Sequence, residues 1–253
     1  MNANLTSALD SRLLALADDE LILAHRDSEW TGHAPMIEED IALANIAQDE
    51  LGHATLWYAI LCDLRKQPDE HTDQLVYFRD AADWRNAQLL ELPIGDWAFT
   101  MLRQFLFDQF EWVLLPALTK SSHTAVTQAA AKVLREEIYH TRHSTAWVRR
   151  LGQGTAESHR RMQTALDVQW PLANQLFVPM LGDEALVAAG IWPDMAPLQQ
   201  QWLAKVGEML AECGLIAPAS AATRVSRASH TEHLTALLAD MQSVARLDPQ
   251  ADW

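Results

Sequence analysis

Apolar residues recur at the 3.6-residue period of a helix along almost the whole chain, and the periodic stretches end at glycine or proline. The four strongest patterns predict long helices at about residues 6–26, 38–65, 96–118 and 124–151. Weaker patterns predict helical segments at about residues 71–90, 155–180, 195–213 and 230–246, with a loop at 217–227. Pro68 is expected to end the second long helix, and Pro171 to interrupt the helix that follows residue 155. No segment has a strong strand pattern, so the chain is predicted to be all-α.

The scarcity of turn residues supports a fold made of a few long helices. Nine glycines and ten prolines make up 19 of the 253 residues, a lower share than the roughly 12% of an average protein. A sandwich or barrel needs a turn every ~8–12 residues, so this composition argues against both. The length fits a single helical domain over 1–253, with a core bundle at about 6–151 and a C-terminal helical extension at about 155–253.

The charge balance argues against two classes of binding protein. There are 34 acidic and 19 basic residues, which give a formal net charge of −15. A general nucleic-acid binder and an electrostatic membrane binder both need a basic face. Two cysteines are too few for a disulfide framework, although a single Cys62–Cys213 bridge stays open. Since the chain has no signal-peptide pattern and no apolar run near ~20 residues, the sequence predicts a soluble, cytoplasmic protein.

Each of the four long helices places a carboxylate in the middle of its apolar face. These residues are Glu20, Glu50, Asp108 and Glu137. Two of the helices add a histidine one turn later, at His53 and His140. Burying one ionised carboxylate without a partner is very costly, and four together also repel one another. The chain has only four lysines, and Arg103 and Arg135 fall off the apolar faces, so bound metal cations are expected to compensate the charge.

The spacing of these residues supports a metal site. Glu50 with His53 and Glu137 with His140 are both Glu-x-x-His pairs, which lie on one helix face and can bind the same ion. The two acids are 30 residues apart in the first half of the chain and 29 in the second, so one helical hairpin is repeated. This is the ligand set of ferritin-like di-iron and di-manganese bundles. The sequence therefore predicts a ferritin-like four-helix bundle that binds two iron ions, with manganese as the alternative.

Three neighbouring acids have other expected roles. Glu111 lies one turn after Asp108 and is the alternative ligand on that helix. Asp49 and Glu136 precede the ligand glutamates and point about 100° away from them. These two acids are therefore expected at the surface or behind the metal ligands.

Two further clusters carry residue types that bind ions. Residues 230–233 read His-Thr-Glu-His, but their distance from the bundle in sequence argues against a metal site there. The arginine pairs at 149–150 and 160–161 form the best basic patch. They are interpreted as solvated helix ends rather than as a phosphate site.

Six segments of the chain resemble the sequences of one known protein family. They are 28–35 (Ser-Glu-Trp-Thr-Gly-His-Ala-Pro), 40–46 (Asp-Ile-Ala-Leu-Ala-Asn-Ile), 103–108 (Arg-Gln-Phe-Leu-Phe-Asp), 137–140 (Glu-Ile-Tyr-His), 151–155 (Leu-Gly-Gln-Gly-Thr) and 230–234 (His-Thr-Glu-His-Leu). With these segments the chain resembles the C subunits of bacterial phenylacetyl-CoA epoxidases, and the likeness runs nearly from end to end. The first and last segments are the most specific to this family.

The resemblance implies a cytoplasmic ferritin-like subunit that pairs with a homologous catalytic A subunit, while a separate reductase supplies electrons. The family reaction inserts one oxygen atom from O2 into the CoA-linked aromatic ring during phenylacetate catabolism. In that family the A subunit is known for the di-iron centre, and the C subunit is described as structural with some ligands lost. This chain departs from that description because all six expected ligands are present.

Three functions follow as alternatives. The chain is an assembly subunit of the oxygenase, a metal-active subunit of it, or a stand-alone di-iron or di-manganese oxidase or metal-binding protein. The chain is catalytic only if the metal site is functional. Because CoA is anionic and the chain carries a charge of −15, the CoA thioester is expected to bind mainly to the partner subunit.

Overall fold

The computed structural model describes residues 1–67, 71–219, 225–249 and 251. Within these ranges the chain forms helices and turns but no strand, so the all-α prediction is confirmed. The α-helices are α1 (Ala3–Ser28), α2 (Ile37–Arg65), α3 (His71–Tyr77), α4 (Gln88–Glu91), α5 (Trp97–Leu118), α6 (Thr124–Gly152), α7 (Ala156–Ala173), α8 (Asp183–Ala188), α9 (Met195–Glu212), α10 (His233–Met241) and α11 (Ser243–Leu247). Short 3-10 helices occupy Ala81–Asp83 and Asn174–Phe177. None of the described helices is both long and apolar enough to cross a bilayer.

Two helical hairpins, α1–α2 and α5–α6, form the centre of the bundle. Helices α2 and α6 lie side by side and antiparallel, because Glu39 contacts Trp147 while His53 contacts Glu136. Helices α7 and α9 pack against α5, which is therefore buried on almost every side. One continuous apolar core joins the hairpins and the C-terminal helices.

The four long helices predicted from the sequence are confirmed to within a few residues at each end. Asp96 caps α5 by accepting a hydrogen bond from the backbone N–H of Phe99 at 3.0 Å. Helix α2 ends at Arg65, where Lys66 adopts the left-handed conformation common after a helix. Pro68, which was expected to end this helix, lies outside the described residues.

The prediction of one helix at about 71–90 is wrong. The segment divides into α3, a 3-10 turn and α4, with extended backbone between them. The backbone N–H groups of Arg85 and Ala87 donate to the buried carboxylates of Asp18 and Asp19 on α1, each at 2.7 Å. Because these backbone N–H groups donate to side chains of α1, they are not available for hydrogen bonds within a helix. The segment therefore does not continue as a helix.

The predicted interruption at Pro171 is also wrong. Helix α7 continues through Pro171, which lies in its last turn, and ends at Ala173. The helix expected at 230–246 divides into α10 and α11 at Gln242, whose side-chain amide donates to the carbonyl oxygens of Val76 and Arg79.

The loop predicted at 217–227 is described in part. Residues 217–219 and 225–227 lie outside helices, as expected. Residues 220–224 lie outside the described residues.

Candidate metal centre

The six predicted ligands come from the four long helices, and their side chains are fully buried. They are Glu20 on α1, Glu50 and His53 on α2, Asp108 on α5, and Glu137 and His140 on α6. Because each lies on the apolar face of its helix, packing the two hairpins together brings them to the centre of the bundle.

Five of these residues form two groups that share Glu50. In the first group, His53 Nδ1 lies 3.6 Å from Glu20 Oε2 and 3.4 Å from Glu50 Oε2. In the second group, His140 Nδ1 lies 2.6 Å from Glu137 Oε1 and 3.4 Å from Glu50 Oε1. Within each group the possible ligand atoms lie no more than 4.8 Å apart, close enough to hold one ion.

Asp108, the sixth predicted residue, lies beside the second group. Its Oδ1 accepts a hydrogen bond from Gln104 Nε2 at 2.7 Å, and its Oδ2 accepts one from Ser144 Oγ at 2.5 Å. Burial raises the pKa of Asp108 well above its ordinary value, and the charge of Glu137 adds to the effect. Asp108 is therefore held in a fixed orientation close to the α6 ligands.

Glu111 provides a second buried carboxylate on α5. Neither of its oxygens receives an N–H or O–H donor from the described residues. Its pKa is raised well above the ordinary value by burial and then by the charges of Glu137 and Glu50. Asp108 and Glu111 both stay candidates for the α5 ligand.

Protons and charges are distributed unequally over the centre. Burial raises the pKa of Glu20 well above its ordinary value, and the charges of Glu111 and Glu50 raise it further. Burial would also raise the pKa of Glu50, but hydrogen bonds from Glu20, His140 and His53 outweigh it and hold the pKa well below the ordinary value. These shifts favour the protonated form of Glu20 and the ionised form of Glu50.

The surroundings of the two imidazoles favour their protonated forms. Burial would lower the pKa of each, but hydrogen bonding to Glu50 raises the pKa of His53, and the charge of Glu137 raises that of His140 well above its ordinary value. The ring centroids lie 5.9 Å apart. In the absence of metal, these shifts favour proton uptake by the centre, which reduces its net negative charge.

The outer nitrogen, Nε2, of each imidazole ring contacts one partly exposed acid. His53 Nε2 lies 2.8 Å from Glu136 on α6, and His140 Nε2 lies 3.3 Å from Asp49 on α2. Each acid directly precedes a ligand glutamate on its own helix and contacts the histidine of the other helix. By binding Nε2, the acids turn Nδ1 of both rings towards the buried glutamates, as carboxylates behind metal-bound histidines commonly do.

The atoms left without partners fit a metal centre. Glu20 Oε2, Glu50 Oε2, both Glu137 oxygens and the Nδ1 atoms of His53 and His140 make no hydrogen bond of good geometry with a described residue, although they lie close to one another. A buried polar atom without a partner is costly, and six at one point need a common explanation. Carboxylate oxygens and imidazole nitrogens around shared space suit iron or manganese, so the donor set fits two such ions.

Comparison with known proteins identifies the family. The sequence model of the phenylacetic acid catabolic protein family matches residues 1–253. The chain belongs to this family. It is 37% identical over 247 residues to the C subunit of the 1,2-phenylacetyl-CoA epoxidase of Escherichia coli K12, covering 97% of this chain and 99% of the relative. It is also 23% identical over 163 residues to the A subunit of the same epoxidase, covering 64% of this chain and 52% of the relative.

The family resemblance seen in the sequence is therefore confirmed. This member of the phenylacetic acid catabolic protein family matches a C subunit from end to end and an A subunit over part of its length.

A set of buried ion pairs beside the centre was not predicted from the sequence. Asp18 binds Arg79, Asp19 binds Arg227, and Asp27 lies 3.6 Å from Arg103, with each aspartate fully buried on α1. The available signal was the Asp18-Asp19-Glu20 run, which places acids around the helix instead of on one solvated face. Two sides of helix α1 therefore bind neighbouring segments through ion pairs. Its third side, which carries Glu20, faces the metal centre.

The histidine-rich segment at 230–233 has a structural role. Its contacts with Glu91 form a clasp between this segment and α4. His230 Nδ1 lies 2.6 Å from the buried Glu91 Oε1, and the Thr231 N–H and hydroxyl both donate to Glu91 Oε2 at 2.6 Å. His230 Nε2 lies 3.0 Å from the carbonyl oxygen of Trp84. These contacts account for the side chains of His230 and Thr231 and leave His230 engaged with Glu91.

The arginine pairs near the α6–α7 turn are engaged by acids. Arg149 binds Glu212, and Arg160 and Arg161 both bind Glu157. These ion pairs favour the interpretation as solvated helix ends.

Proposed function

We propose that this chain is the C-type subunit of a cytoplasmic multicomponent phenylacetyl-CoA ring monooxygenase, and that it pairs with a homologous A-type subunit. The observation that carries the proposal is the 37% identity to the Escherichia coli C subunit over 97% of this chain. The partial likeness to the A subunit indicates that the two subunit types are related in sequence. A separate reductase would supply electrons to the complex, and the CoA thioester would bind mainly to the A-type partner.

We further propose that the chain retains a two-metal centre. Glu20, Glu50, His53, Glu137 and His140 would hold two iron ions, or manganese ions, together with a carboxylate of α5. Asp108, the residue predicted from the sequence, is the proposed α5 ligand, and Glu111, whose two oxygens receive no donor from the described residues, is the alternative. When bound, such ions supply O2 binding and electron transfer.

The protein residues would prepare the centre rather than react. Asp49 and Glu136 orient the two imidazole rings, and Gln104 orients the α5 carboxylate. The full burial of the ligand side chains excludes bulk water from the centre. The raised pKa of Glu20 favours its protonated form, and metal binding would compete with that proton, so uptake of metal should become stronger as pH rises.

Co-expression tests the assembly proposal. The chain is expected to co-purify with an A-type subunit from the same organism in a complex of defined mass. Light scattering after gel filtration measures that mass. A stable monomer that does not bind the A-type partner contradicts the proposed function, and a large closed homo-oligomer would point instead to metal storage.

Two matched substitutions test the α5 ligand. Asp108→Asn and Glu111→Gln each replace one buried carboxyl group by an amide while nearly preserving side-chain size. We expect Asp108→Asn to lower iron content, and Glu111→Gln to leave it close to that of the unsubstituted protein. Metal analysis after anaerobic Fe(II) loading separates them, and the reverse result would assign the ligand to Glu111.

A further inference from the structure

The outer surface of α2 and α6 differs from the rest of this acidic chain. We define the α2–α6 face as the exposed residues of α2 from Ile37 to Thr55 and of α6 from Ala131 to Ala146. The two helices are joined by contacts of Glu39 with His143, of Asp49 with His140 and of Glu136 with His53. Their exposed sides therefore form one continuous surface directly outside the buried centre.

Apart from Glu38 in the first turn and the partly exposed Asp49, the α2 part of this face is uncharged and partly apolar. From Ile41 to Thr55, its exposed residues are Ile41, Asn45, Gln48, Leu51, Gly52 and Thr55. Ile37, Ile41 and Leu51 are 71%, 57% and 50% exposed, although β-branched and leucine side chains are usually buried. A solvated helix face is expected to be polar and charged, so this one has the composition of a surface that another protein covers.

The α6 part combines apolar and cationic side chains. Ile138 and Tyr139 are about half exposed. Lys132, Arg135 and Arg142 form no ion pair with any described residue, although the net charge of the chain is −15. Free arginines beside an exposed tyrosine are typical of interface residues, and their positive charge calls for carboxylates on the partner.

An apolar groove continues the face on its other side. The groove has a volume of about 380 Å³ and runs between α1, α2, α3 and α10. Leu51 and Gln48 line it together with Leu21 and Tyr77. A partner lying on α2 would therefore also find an apolar recess for its side chains.

We infer that the α2–α6 face is the surface on which the homologous A-type subunit docks. This inference rests on the proposed function and adds the location of the contact. The matching surface of the partner is a helical face with an apolar centre and flanking carboxylates. Docking there would cover Asp49 and Glu136, the two partly exposed acids that hold His53 and His140. The partner would thus shield from water the two acids that orient the histidines of the buried centre.

The test compares substitutions on the face with matched substitutions elsewhere, in the full chain co-purified or mixed with its A-type subunit. Ile41→Asp tests the apolar part, and the double substitution Arg135→Glu with Arg142→Glu tests the cationic part. Leu181→Asp and Lys120→Glu are controls, because Leu181 is 95% exposed and Lys120 is an exposed cation away from the face. Thermal unfolding confirms that each variant folds.

Both face variants are expected to weaken binding to the A-type subunit by at least about tenfold, while both controls stay within about twofold. Raising the salt concentration should weaken the unsubstituted complex, and the double substitution should lose most of that salt dependence. In the unsubstituted complex, hydrogen exchange should slow in residues 37–55 and 131–146.

The possible failures are distinguishable. If the A-type subunit binds the unsubstituted chain and the face variants equally well, the docking surface is wrong and the proposed function stands. If it does not bind the unsubstituted chain, both are wrong. If Ile41→Asp instead dissolves a dimer of this chain that forms without the A-type partner, the face binds a second copy and the assigned occupant is wrong.

Discussion

Glu50 is the residue at which both halves of the buried centre meet. It lies 3.4 Å from a nitrogen of His53 and 3.4 Å from a nitrogen of His140. Glu50 raises the pKa of His53, and Glu137 with Glu50 raises that of His140, while burial raises the pKa of Glu20 on the neighbouring helix α1. The same side chains that favour protons in the metal-free centre can exchange them for metal.

Glu20→Gln separates metal binding from stability. Because the raised pKa of Glu20 favours its neutral form in the metal-free protein, the neutral amide should leave the thermal midpoint unchanged or raise it. Metal affinity should fall by at least about tenfold, because a ligand oxygen is lost. Calorimetry in chelator and metal analysis measure the two effects. The exposed Glu157→Gln serves as control, and a large loss of stability with normal metal content would contradict the account.

Asp27 makes stability depend on pH. Burial raises its pKa to about 7, although the charge of Arg103 opposes the rise. Between its ordinary pKa of 3.8 and about 7 the folded state holds more protons than the unfolded state, so stability should fall as pH rises through this range. Asp27→Asn should remove this part of the decline, measured by urea unfolding in chelator. The exposed Asp63→Asn should keep the full decline, and an unchanged slope in Asp27→Asn would contradict the assignment.

At the scale of elements, buried acids of α1 and α4 hold segments that lack long helices. Asp18 and Asp19 fix the extended residues before α4, and Glu91 at the end of α4 fixes the segment before α10. The C-terminal helices therefore reach the bundle through polar contacts as well as through apolar packing.

His230→Ala should loosen this clasp. Glu91 would stay buried with one donor fewer, at a cost of roughly 2–3 kcal/mol. His233→Ala should cost less than about 0.5 kcal/mol, because the His233 side chain forms no hydrogen bond with a described residue. Urea unfolding gives the cost, and hydrogen exchange in α10 should quicken only in His230→Ala. Equal effects of the two substitutions would exclude the clasp.

At the scale of the whole molecule, the acidic charge has two locations. Part of it is buried, either in the centre or in ion pairs such as Asp18 with Arg79 and Asp19 with Arg227. The remainder gives the chain a surface that repels anions, and three of the four arginines near the α6–α7 turn, Arg149, Arg160 and Arg161, are already paired with acids.

The isolated chain should therefore bind phenylacetyl-CoA only weakly, with a Kd above about 1 mM. Its complex with the A-type subunit should bind the same compound more tightly. Isothermal titration of both samples at equal ionic strength gives the comparison. Tight binding by the isolated chain would place a CoA site on it and contradict the proposed division of roles.

The sequence predicts those features that depend on local spacing. The four long helices and the convergence of Glu20, Glu50, His53, Glu137 and His140 follow from helical periodicity, since each residue lies on a buried face. The choice between Asp108 and Glu111 does not follow, because both lie on a helix that is buried on almost every side.

The features that could not be predicted from the sequence depend on contacts between residues that lie far apart in the chain. Nothing near residues 84–87 in the sequence indicates that Asp18 and Asp19 take their backbone donors. Likewise, the His-Thr-Glu-His segment has the same residue types as a metal cluster, and only its contact with Glu91 shows its role. The division of the chain into a core bundle and an extension stays a prediction.

The most direct test of the central claim is the metal content of the isolated chain after anaerobic loading with Fe(II) and removal of excess ion. If Glu20, Glu50, His53, Glu137, His140 and an α5 carboxylate form a working centre, the protein should hold about two ions per chain. The double substitution Glu50→Ala with His140→Ala should hold almost none. An unsubstituted chain that binds no more iron than this variant, with both equally stable, would show that the ligands are present without a metal centre.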